Sequence, residues 1–459
     1  MAPSPTGWLH MGTARAALFN YLFTRREEGI FILRIEDTDR ERSRKEFEDD
    51  IIEQLTWLGL SWDEFYQQSE RTNFYTTSIE QLLRAGKAFY CTHSKDELEA
   101  EHAAQVKKKE PPRHVCSDRN EGREEGIIRL KNDTQGNLSF TDLIRGTISF
   151  QAELLGDFSL ARGVEIPLYN FSAVVDDYEM RISHVIRGED HIPNTPKQLL
   201  IQQAFGWEPP QYAHLPLLLG ADRSKLSKRH GATAVRDYRT AGYLPVAVIN
   251  FLALLGWNPG DDRELFILRE LEKEFSLEKV QKAGAVFNEE KLEWLNRIYI
   301  KKMSIDDLMQ HAAPFVSERG ISSDTLQRVL EVEKPRITKL SDIMDTIPLY
   351  TEDPAYDKKL LSWKGQDLEH TREHLARARE ILCDIDEDTF ARMELLQQAL
   401  DSYAATHGKG NVLWPLRAAL SGKEASPGPF EIMFVIGKEA TLQRIDNALK
   451  LLHGNTYKV

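Results

Sequence analysis

The first thirteen residues, MAPSPTGWLHMGT, combine residue types that suit phosphate binding. His10 can donate a hydrogen bond to a phosphate oxygen, and Gly7 and Gly12 let the backbone come close to a bound nucleotide. A structural turn explains this segment equally well when it is taken alone. The chemistry that it suggests is nucleotide binding.

A second segment of this kind lies about two hundred residues downstream, in RSKLSKRHGATAV, after the apolar run HLPLLLG. Lys225 and Lys228 lie three residues apart in a polar stretch. A mobile loop with two ammonium groups can close on a triphosphate and stabilise the charge that develops in a transition state. A lysine-rich surface loop explains this segment alone, but it does not explain both segments together.

A third candidate site is formed by two short segments, YCTHSKDE and PPRHVCSD. Cys91 and His93 are two residues apart, and His114 and Cys116 repeat the spacing in reverse order. Two thiolates and two imidazoles suit tetrahedral zinc, which would join the two segments and stabilise a small subdomain. The spacing is tighter than in zinc fingers, so two buried cysteines beside surface histidines remain the alternative.

The elements that must position these groups follow from local patterns. Thr13 can cap a helix over TARAALFNYLFTRREEG that ends near Gly29. IFILRIEDTDR predicts a buried strand from about Ile30 to Ile35 followed by an acidic turn, and EFEDDIIEQLTWLGL predicts a second amphipathic helix. This order begins a doubly wound α/β domain, in which ligands bind at the carboxyl ends of the strands.

Composition and charge set limits on the class of protein. The 459 residues suffice for several domains, and no apolar run reaches the roughly 18 residues of a membrane span. The first residues lack the features of a signal peptide, so we expect a cytoplasmic protein without a membrane partner. Cys91, Cys116 and Cys383 are too few for a disulfide framework.

The net charge of -13 argues against nucleic-acid binding only if the charge is evenly spread. Two basic clusters, at 105–114 and 222–231, are exceptions. For each of them a solvated surface is the alternative explanation.

Together the motifs resemble a known family. APSPTGWLHMGT and KLSKR resemble the two signature sequences of class I aminoacyl-tRNA synthetases, and the proline-rich form of the first is similar to that of the glutamyl-tRNA synthetases of bacterial type. Further similar segments follow in the same order: FILRIEDTDRERS, WLGLSWDE, YNFSAVVDDYEMRISHVIRGEDHIPNTPKQ, YLPVAVINFLALLGWNPGDDRELF, KLEWLNRIYI and LRAALSGKEASPGPFE. The resemblance covers nearly the whole chain.

The resemblance implies an enzyme that ligates L-glutamate to its cognate tRNA in two steps. Glutamate attacks the α-phosphate of ATP, which enters with Mg²⁺, to give glutamyl-adenylate, and the terminal ribose hydroxyl of tRNA then takes the glutamyl group. Neither step needs a protein nucleophile, so the site works by alignment and electrostatic stabilisation. The resemblance also implies a monomer that requires its tRNA for activation.

The resemblance assigns roles to residues of these motifs. The catalytic residues would be His10, Thr13, Lys225 and Lys228. The residues that bind ATP would be His10, Gly12, Asp190 and Lys228.

It also implies a set of residues that bind glutamate. Ala2 and Ser4 would hold the amino-acid end, Glu36 would bind the ammonium group, and Tyr169 with Arg187 would read the side chain. An arginine and a tyrosine hydroxyl favour a carboxylate over the neutral amide of glutamine. The structural alternatives are a helix-capping role for Glu36 and an ion pair of Arg187 with Glu189 or Asp190.

These positions predict a split Rossmann-like doubly wound α/β domain with an α/β insertion, followed by an all-helical C-terminal half. Residues 1–84 and 169–240 would form the catalytic domain, and 85–168 would grip the acceptor end of tRNA. Residues 241–304 would form a helical stem-contact domain and 305–459 a helical anticodon-binding region. Arg417 in LRAALSG would contact an anticodon base, the alternative being an ordinary arginine on a helix surface.

The chain departs from the family pattern in two places. Some bacterial members carry zinc with a Cys-x-Cys first pair, where this chain has His93 as the second ligand. Members also carry a short strand before APSPTG, with an arginine two residues ahead of the alanine, whereas this chain has only Met1 before Ala2. We expect upstream residues to be missing from the sequence as written; the alternative is that another cation replaces that arginine.

Other functions within and outside the family compete with this one. The helical C-terminal half argues against a glutaminyl enzyme, and the length after the lysine segment argues against a short relative that modifies a tRNA base. A ligase that also charges glutamine tRNA stays open. A catalytically impaired paralogue that only binds tRNA is opposed by the intact His10, Gly12, Lys225 and Lys228.

Overall fold

A computed structural model describes residues 1–453 except 228, 230 and 232. The chain divides into two compact units, Met1–Leu295 and Asn296–Val459. The first unit is α/β and the second is helical, as the sequence predicts. Among the described residues, no helix is both long enough and apolar enough to cross a membrane.

The first unit alternates helices and short strands. Its helices are α1 (Met11–Arg26), α2 (Lys45–Trp57), α3 (Thr72–Arg84), α4 (Lys95–Lys107), α5 (Tyr169–Glu179), α6 (Thr195–Phe205), α7 (Val235–Thr240), α8 (Pro245–Leu254) and α9 (Leu268–Glu274), and α10 (Glu289–Lys302) begins in the first unit and ends in the second. Its strands are β1 (Ile32–Ile35), β2 (Glu64–Gln67), β3 (Ala88–Cys91), β4 (Ile127–Leu130), β5 (Asn137–Asp142), β6 (Gly146–Gln151), β7 (Ser159–Gly163), β8 (Ile166–Pro167), β9 (His184–Gly188), β10 (Gln211–Leu215), β11 (Leu218–Leu219) and β12 (Ala285–Val286).

The strands pair in sheets that carry the site at their ends. β1 and β2 pair in parallel. A second sheet has the strand order β6-β5-β10-β9, in which β10 is parallel to both β5 and β9, and β5 and β6 form an antiparallel hairpin. The strands β3, β4, β7 and β8 form a separate antiparallel sheet, and β11 pairs with β12. Segment 85–168 therefore contributes one sheet of its own and two strands to the sheet of β9 and β10.

The first predicted elements are confirmed, but the predicted cap of α1 is wrong. The strand over Ile32–Ile35 is buried at every position, as expected for the interior of a sheet. α1 begins at Met11, and its cap is His10, not Thr13, because the His10 ring nitrogen Nδ1 accepts the backbone N–H of Gly12 at 3.0 Å. Thr13 lies inside the first turn of the helix. The backbone of residues 1–3 lies beside β1, with Met1 donating to Ile32 and accepting from Arg34.

The second unit consists of helices that surround a common apolar core. They are α11 (Ile305–Val316), α12 (Ser323–Glu333), α13 (Ile343–Thr351), α14 (Leu368–Asp384), α15 (Glu387–Phe390), α16 (Met393–His407), α17 (Lys409–Ser421) and α18 (Pro429–His453), the last interrupted at Gly437. The helices predicted from SIDDLMQHAAPFV, DLEHTREHLARAREILCDI and ELLQQALDSYAATHG are confirmed as α11, α14 and α16. Ser304 caps α11 through its side chain, and α16 ends at Gly408.

One buried arginine holds three helices of the second unit together. Arg444, on α18, is 4% exposed, and its guanidinium donates to carbonyl oxygens at the end of α13 and at the end of α17. The acceptors are Leu349 at 2.8 Å, Leu420 at 2.7 Å, Tyr350 at 3.3 Å and Glu352 at 2.7 Å. Helix ends leave carbonyl groups without partners inside the helix, so a buried guanidinium is an effective donor there.

We expect Arg444→Met to destabilise the second unit by about 3 kcal/mol or more, because buried carbonyl groups lose their donors. Native-state hydrogen exchange of amides in α13, α17 and α18 measures this free energy of local unfolding. Arg379→Met is the matched control, since it removes only a half-exposed ion pair with Asp446 between α14 and α18. The control should change the stability by less than about 1 kcal/mol. Equal effects of the two variants would contradict the role of Arg444.

Candidate active site

A cavity of about 1380 Å³ in the first unit brings together residues that are far apart in the sequence. It is lined by residues of α1, β1, α5 and β9 and by the segment after β11. Ten predicted site residues line it: Ala2, Ser4, His10, Gly12, Thr13, Glu36, Tyr169, Arg187, Asp190 and Lys225. Lys228 lies outside the described residues.

The two signature segments are joined by backbone hydrogen bonds. The N–H of Val235 donates to the carbonyl of Leu9 at 2.9 Å, and the N–H of Met11 donates to the carbonyl of Thr233 at 2.9 Å. His10 and Ala234 form an antiparallel bridge between these bonds. The segment that follows the lysine loop is thus fixed against the start of α1.

The capping bond of His10 determines which of its ring nitrogens carries the proton. Because Nδ1 accepts the N–H of Gly12, the neutral ring carries its proton on Nε2. Burial lowers the pKa of His10, and the charge of Lys225 lowers it further, so the ring is neutral at pH 7. A neutral imidazole with Nε2–H is a hydrogen-bond donor suited to a phosphate oxygen.

Lys225 lies on a short hairpin that returns to β11. Leu219 and Lys225 form an antiparallel bridge, and the ammonium group of Lys225 donates to Asp190 Oδ2 at 2.9 Å. Burial alone would raise the pKa of Asp190, but the hydrogen bond from Lys225, the charges of His191 and Lys225 and a backbone hydrogen bond together hold the pKa below its usual value. The predicted catalytic residue Lys225 and the predicted ATP-binding residue Asp190 therefore form an ion pair at the cavity.

Negative charge gathers at another part of the cavity. Glu36 is buried and accepts a hydrogen bond from Arg34 at 3.1 Å, and Arg34 also pairs with Asp177 at 2.8 Å. Burial raises the pKa of Glu36 to about 7, although the charge of Arg34 opposes this shift. The pairing with Arg34 replaces the helix-capping alternative for Glu36. Since Arg34 faces more than one carboxylate, this part of the cavity suits an added cation.

The residues predicted to read a side-chain carboxylate have neutral partners. Arg187 does not pair with Glu189 or Asp190; its Nε donates to His214 at 3.2 Å and its Nη2 donates to Thr195 at 2.8 Å. The hydroxyl of Tyr169 lies 3.0 Å from His191 Nδ1, and burial raises the pKa of Tyr169 above its usual value. Both side chains remain polar groups that an anion can contact.

Sequence reasoning missed several residues that shape this cavity. Arg34, Asp177 and His191 line it, and Asp142 and His214 lie behind Arg187. Arg34 had a detectable signal, because an arginine inside a fully buried strand must find carboxylate partners. His214 had none, since the run HLPLLLG is typical of an apolar strand end.

The four predicted zinc ligands form one cluster. Their ligand atoms all lie within 4.8 Å of one another. His93 Nδ1 lies 3.5 Å from both the Cys91 and the Cys116 sulfur, and His114 Nε2 lies 3.8 Å from the Cys91 sulfur. A tetrahedral site with ordinary zinc bond lengths has sulfur-to-nitrogen edges of about 3.6 Å. The donor set and its spacing therefore fit zinc.

Neighbouring residues hold the two halves of this cluster in place. Asp118 accepts the backbone N–H of Thr92 at 2.7 Å, which joins the two segments. Gly126 and Gly156 have positive φ angles, and a Cβ atom would lie 2.4 Å from the Cys91 carbonyl oxygen at the first and 2.5 Å from the His114 carbonyl oxygen at the second. Glycine is required where the backbones approach this closely.

Arg417 lies on α17 in the second unit. Its guanidinium donates to the carbonyl of Glu424 at 2.7 Å and lies over the Trp414 ring, 4.5 Å from its centroid. These contacts orient the side chain at the helix surface, and its predicted contact with an anticodon base stays a prediction.

Comparisons with known proteins cover nearly the whole chain. Residues 1–294 match the family described as tRNA synthetases class I (E and Q), catalytic domain, and residues 307–449 match the anticodon binding domain family. A glutamate–tRNA ligase of Aquifex aeolicus is 42% identical over an alignment of 468 positions, which covers 98% of each chain. A glutamate–tRNA ligase of Desulforamulus reducens is 39% identical over an alignment of 477 positions, which again covers 98% of each chain.

A solved structure has the same fold over nearly the whole chain. It is the crystal structure of a glutamate tRNA ligase from Elizabethkingia meningosepticum in complex with its amino acid, with a TM-score of 0.88, 32% identity and 98% of each chain covered. Fold, site geometry and full-length similarity lead to one conclusion: the chain belongs to the glutamate–tRNA ligases, within the class I tRNA synthetases.

Proposed function

We propose that the cavity of this glutamate–tRNA ligase binds glutamate between its acidic and its basic parts, next to the ATP phosphates. The observation that carries the proposal is the presence of Glu36, Arg187, His10 and Lys225 around one cavity. A carboxylate oxygen of glutamate attacks the α-phosphorus of ATP and pyrophosphate leaves. The terminal ribose hydroxyl of tRNA then attacks the glutamyl carbonyl carbon and AMP leaves.

In this proposal His10, Lys225 and Lys228 stabilise the negative charge that develops on the phosphates. His10 donates from Nε2, and Lys225 exchanges its partner Asp190 for a phosphate oxygen. Gly12 and Thr13 form the first turn of α1, whose backbone N–H groups favour anions. Mg²⁺ enters bound to the phosphates of ATP.

Glutamate selection rests on the separation of charges in the cavity. The ammonium group of the substrate pairs with Glu36, while Ala2 and Ser4 hold the adjacent backbone atoms of the amino acid. The side-chain carboxylate pairs with Arg187 and Tyr169. Glutamine has no side-chain charge, so its binding would leave the guanidinium without an anion.

The remaining segments contact tRNA in this proposal. Residues 85–168 hold the acceptor end, 241–304 contact the stem and 305–459 bind the anticodon, with Arg417 as one contact. The match of 307–449 to an anticodon binding domain family supports the last assignment. The protein acts as a monomer.

Zinc, in this proposal, binds Cys91, His93, His114 and Cys116. The metal would supply structural cross-linking and no chemistry of the ligase reaction. His114 donates from Nδ1 to Glu101 at 2.6 Å, which leaves Nε2 for the metal.

We expect Lys225→Met to lower kcat for tRNA-dependent ATP–pyrophosphate exchange by about 100-fold or more while the KM for glutamate stays nearly constant. The reason is that its charge acts on the transition state. Lys273→Met, on the exposed face of α9, is the control and should retain full activity. An unchanged kcat in Lys225→Met would refute the role.

Charging both glutamate tRNA and glutamine tRNA transcripts with glutamate shows whether the enzyme uses one or both.

The raised pKa of Glu36 predicts a pH dependence. Glu36 is neutral below a pH of about 7 and ionised above it. Since only the ionised form pairs with the ammonium group, kcat/KM for glutamate should fall as the pH is lowered through about 7. Glu36→Gln should lower kcat/KM about 10- to 100-fold and remove this pH dependence. Asp39→Asn, in the same acidic turn, is the control; a pH profile identical in Glu36→Gln and the unchanged chain rules out the assignment.

We expect about one zinc ion per chain in protein purified without chelators, measured by elemental mass spectrometry. Cys116→Ser should lose the metal, because two imidazoles and one thiolate no longer complete the tetrahedron. Charging of tRNA should then fall more than ATP binding. Cys383→Ser is the matched control, because Cys383 is an exposed thiol in the second unit. A chain that contains no zinc argues against the site.

A further inference from the structure

A buried carboxylate and a buried imidazole lie directly behind Arg187. Asp142, at the end of β5, is 2% exposed and His214, on β10, is 0% exposed. The His214 nitrogen Nδ1 lies 2.6 Å from Asp142 Oδ2. Asp142 also accepts the backbone N–H groups of Ile144 at 2.9 Å and Arg145 at 2.8 Å. These bonds fix the carboxylate and, through it, the imidazole.

This arrangement fixes the protonation of His214. Burial alone would raise the pKa of Asp142, but the bonds from His214 and the backbone N–H groups hold it below its usual value. Burial lowers the pKa of His214, although Asp142 opposes the shift. Asp142 is therefore ionised and His214 neutral, with its proton on Nδ1. The other nitrogen, Nε2, can only accept.

That acceptor faces the guanidinium of Arg187. The distance from Arg187 Nε to His214 Nε2 is 3.2 Å, and Arg187 Nη2 donates to Thr195 Oγ1 at 2.8 Å. The Arg187 guanidinium also lies over the Tyr212 ring, 5.4 Å from its centroid. One edge of the guanidinium is thus occupied by neutral acceptors. Its positive charge, the two N–H groups of Nη1 and the second N–H group of Nη2 remain for a ligand carboxylate.

We propose that His214 is a positioning residue for glutamate selection. With its tautomer set by Asp142, it holds the Nε edge of Arg187 so that the terminal Nη1 and Nη2 pair receives the side-chain carboxylate of glutamate. The proposal rests on the role of Arg187 in the proposed function. It adds a reason for selectivity: a guanidinium that cannot rotate does not adapt to the amide of glutamine.

The test compares His214→Leu with His214→Gln in the full chain. Leucine fills the space but accepts no hydrogen bond, whereas the Oε1 of glutamine can accept from Arg187 Nε. Steady-state charging of glutamate tRNA gives the KM for glutamate and the KM for ATP, and inhibition by free glutamine gives its Ki. Thermal unfolding of each variant is measured in parallel.

We expect His214→Leu to raise the KM for glutamate by about 10- to 100-fold while the KM for ATP stays constant and the Ki for glutamine stays constant or falls, because the freed guanidinium no longer excludes the amide. His214→Gln should recover most of the lost affinity for glutamate. An unchanged KM for glutamate in His214→Leu overturns the proposal. So does a parallel loss of affinity for ATP and glutamate without recovery by His214→Gln, because that pattern belongs to a general structural defect.

Arg187→Gln separates this proposal from the one on which it rests. If Arg187→Gln leaves the KM for glutamate unchanged, the proposed role of Arg187 fails, and the role of His214 fails with it. If Arg187→Gln abolishes the use of glutamate and His214→Leu has no effect, only the positioning role is overturned.

Discussion

The backbone pairing between residues 9–11 and residues 233–235 is the constraint on which the site depends. Two hydrogen bonds and one bridge hold the segment after the lysine loop against the start of α1. The same pairing leaves His10 at the first turn, where its ring caps the helix. His10 and Lys225 therefore line the same cavity, although they are separated by more than two hundred positions in the sequence. A phosphate at the N-terminus of α1 would lie in this cavity.

The two arginines of the cavity, Arg34 and Arg187, differ in the charge of their partners. Arg34 neutralises part of the acidic cluster around Glu36, and it leaves that region able to accept a cation. Arg187 instead has His214 and Thr195 as neutral partners and keeps its charge for an anion. In the proposed function this asymmetry favours one orientation of a ligand that carries one ammonium group and a distant carboxylate, because reversing the asymmetry in a medium of low dielectric constant is costly.

Segment 85–168 has two structural roles. Its strands β5 and β6 extend the sheet of β9 and β10, which brings Asp142 beside Tyr212 and next to His214. Its other sheet carries the Cys and His cluster at the end of β3. Segment 85–168 is thus connected to the sheet of β9 and β10 by backbone pairing, and its separate sheet carries the side chains that could bind a metal.

The sequence by itself predicted the first elements of the α/β unit, because hydrophobic periodicity is a local property, and its family resemblance predicted ten of the residues that line the cavity. The strand at Ile32–Ile35, the helices α11, α14 and α16 of the second unit and the four clustered ligands at 91–116 follow from residues close in the chain. Local patterns failed at the cap of α1, where Thr13 and His10 compete within four residues. Only the tertiary structure decided the distant partners of Arg34 and Arg187, since Asp177 on α5 and His214 on β10 reach them through packing between separate strands and helices. Burial then set the protonation of Glu36 and His214, and the protonation state of a side chain depends on neighbours that no spacing in the sequence reveals.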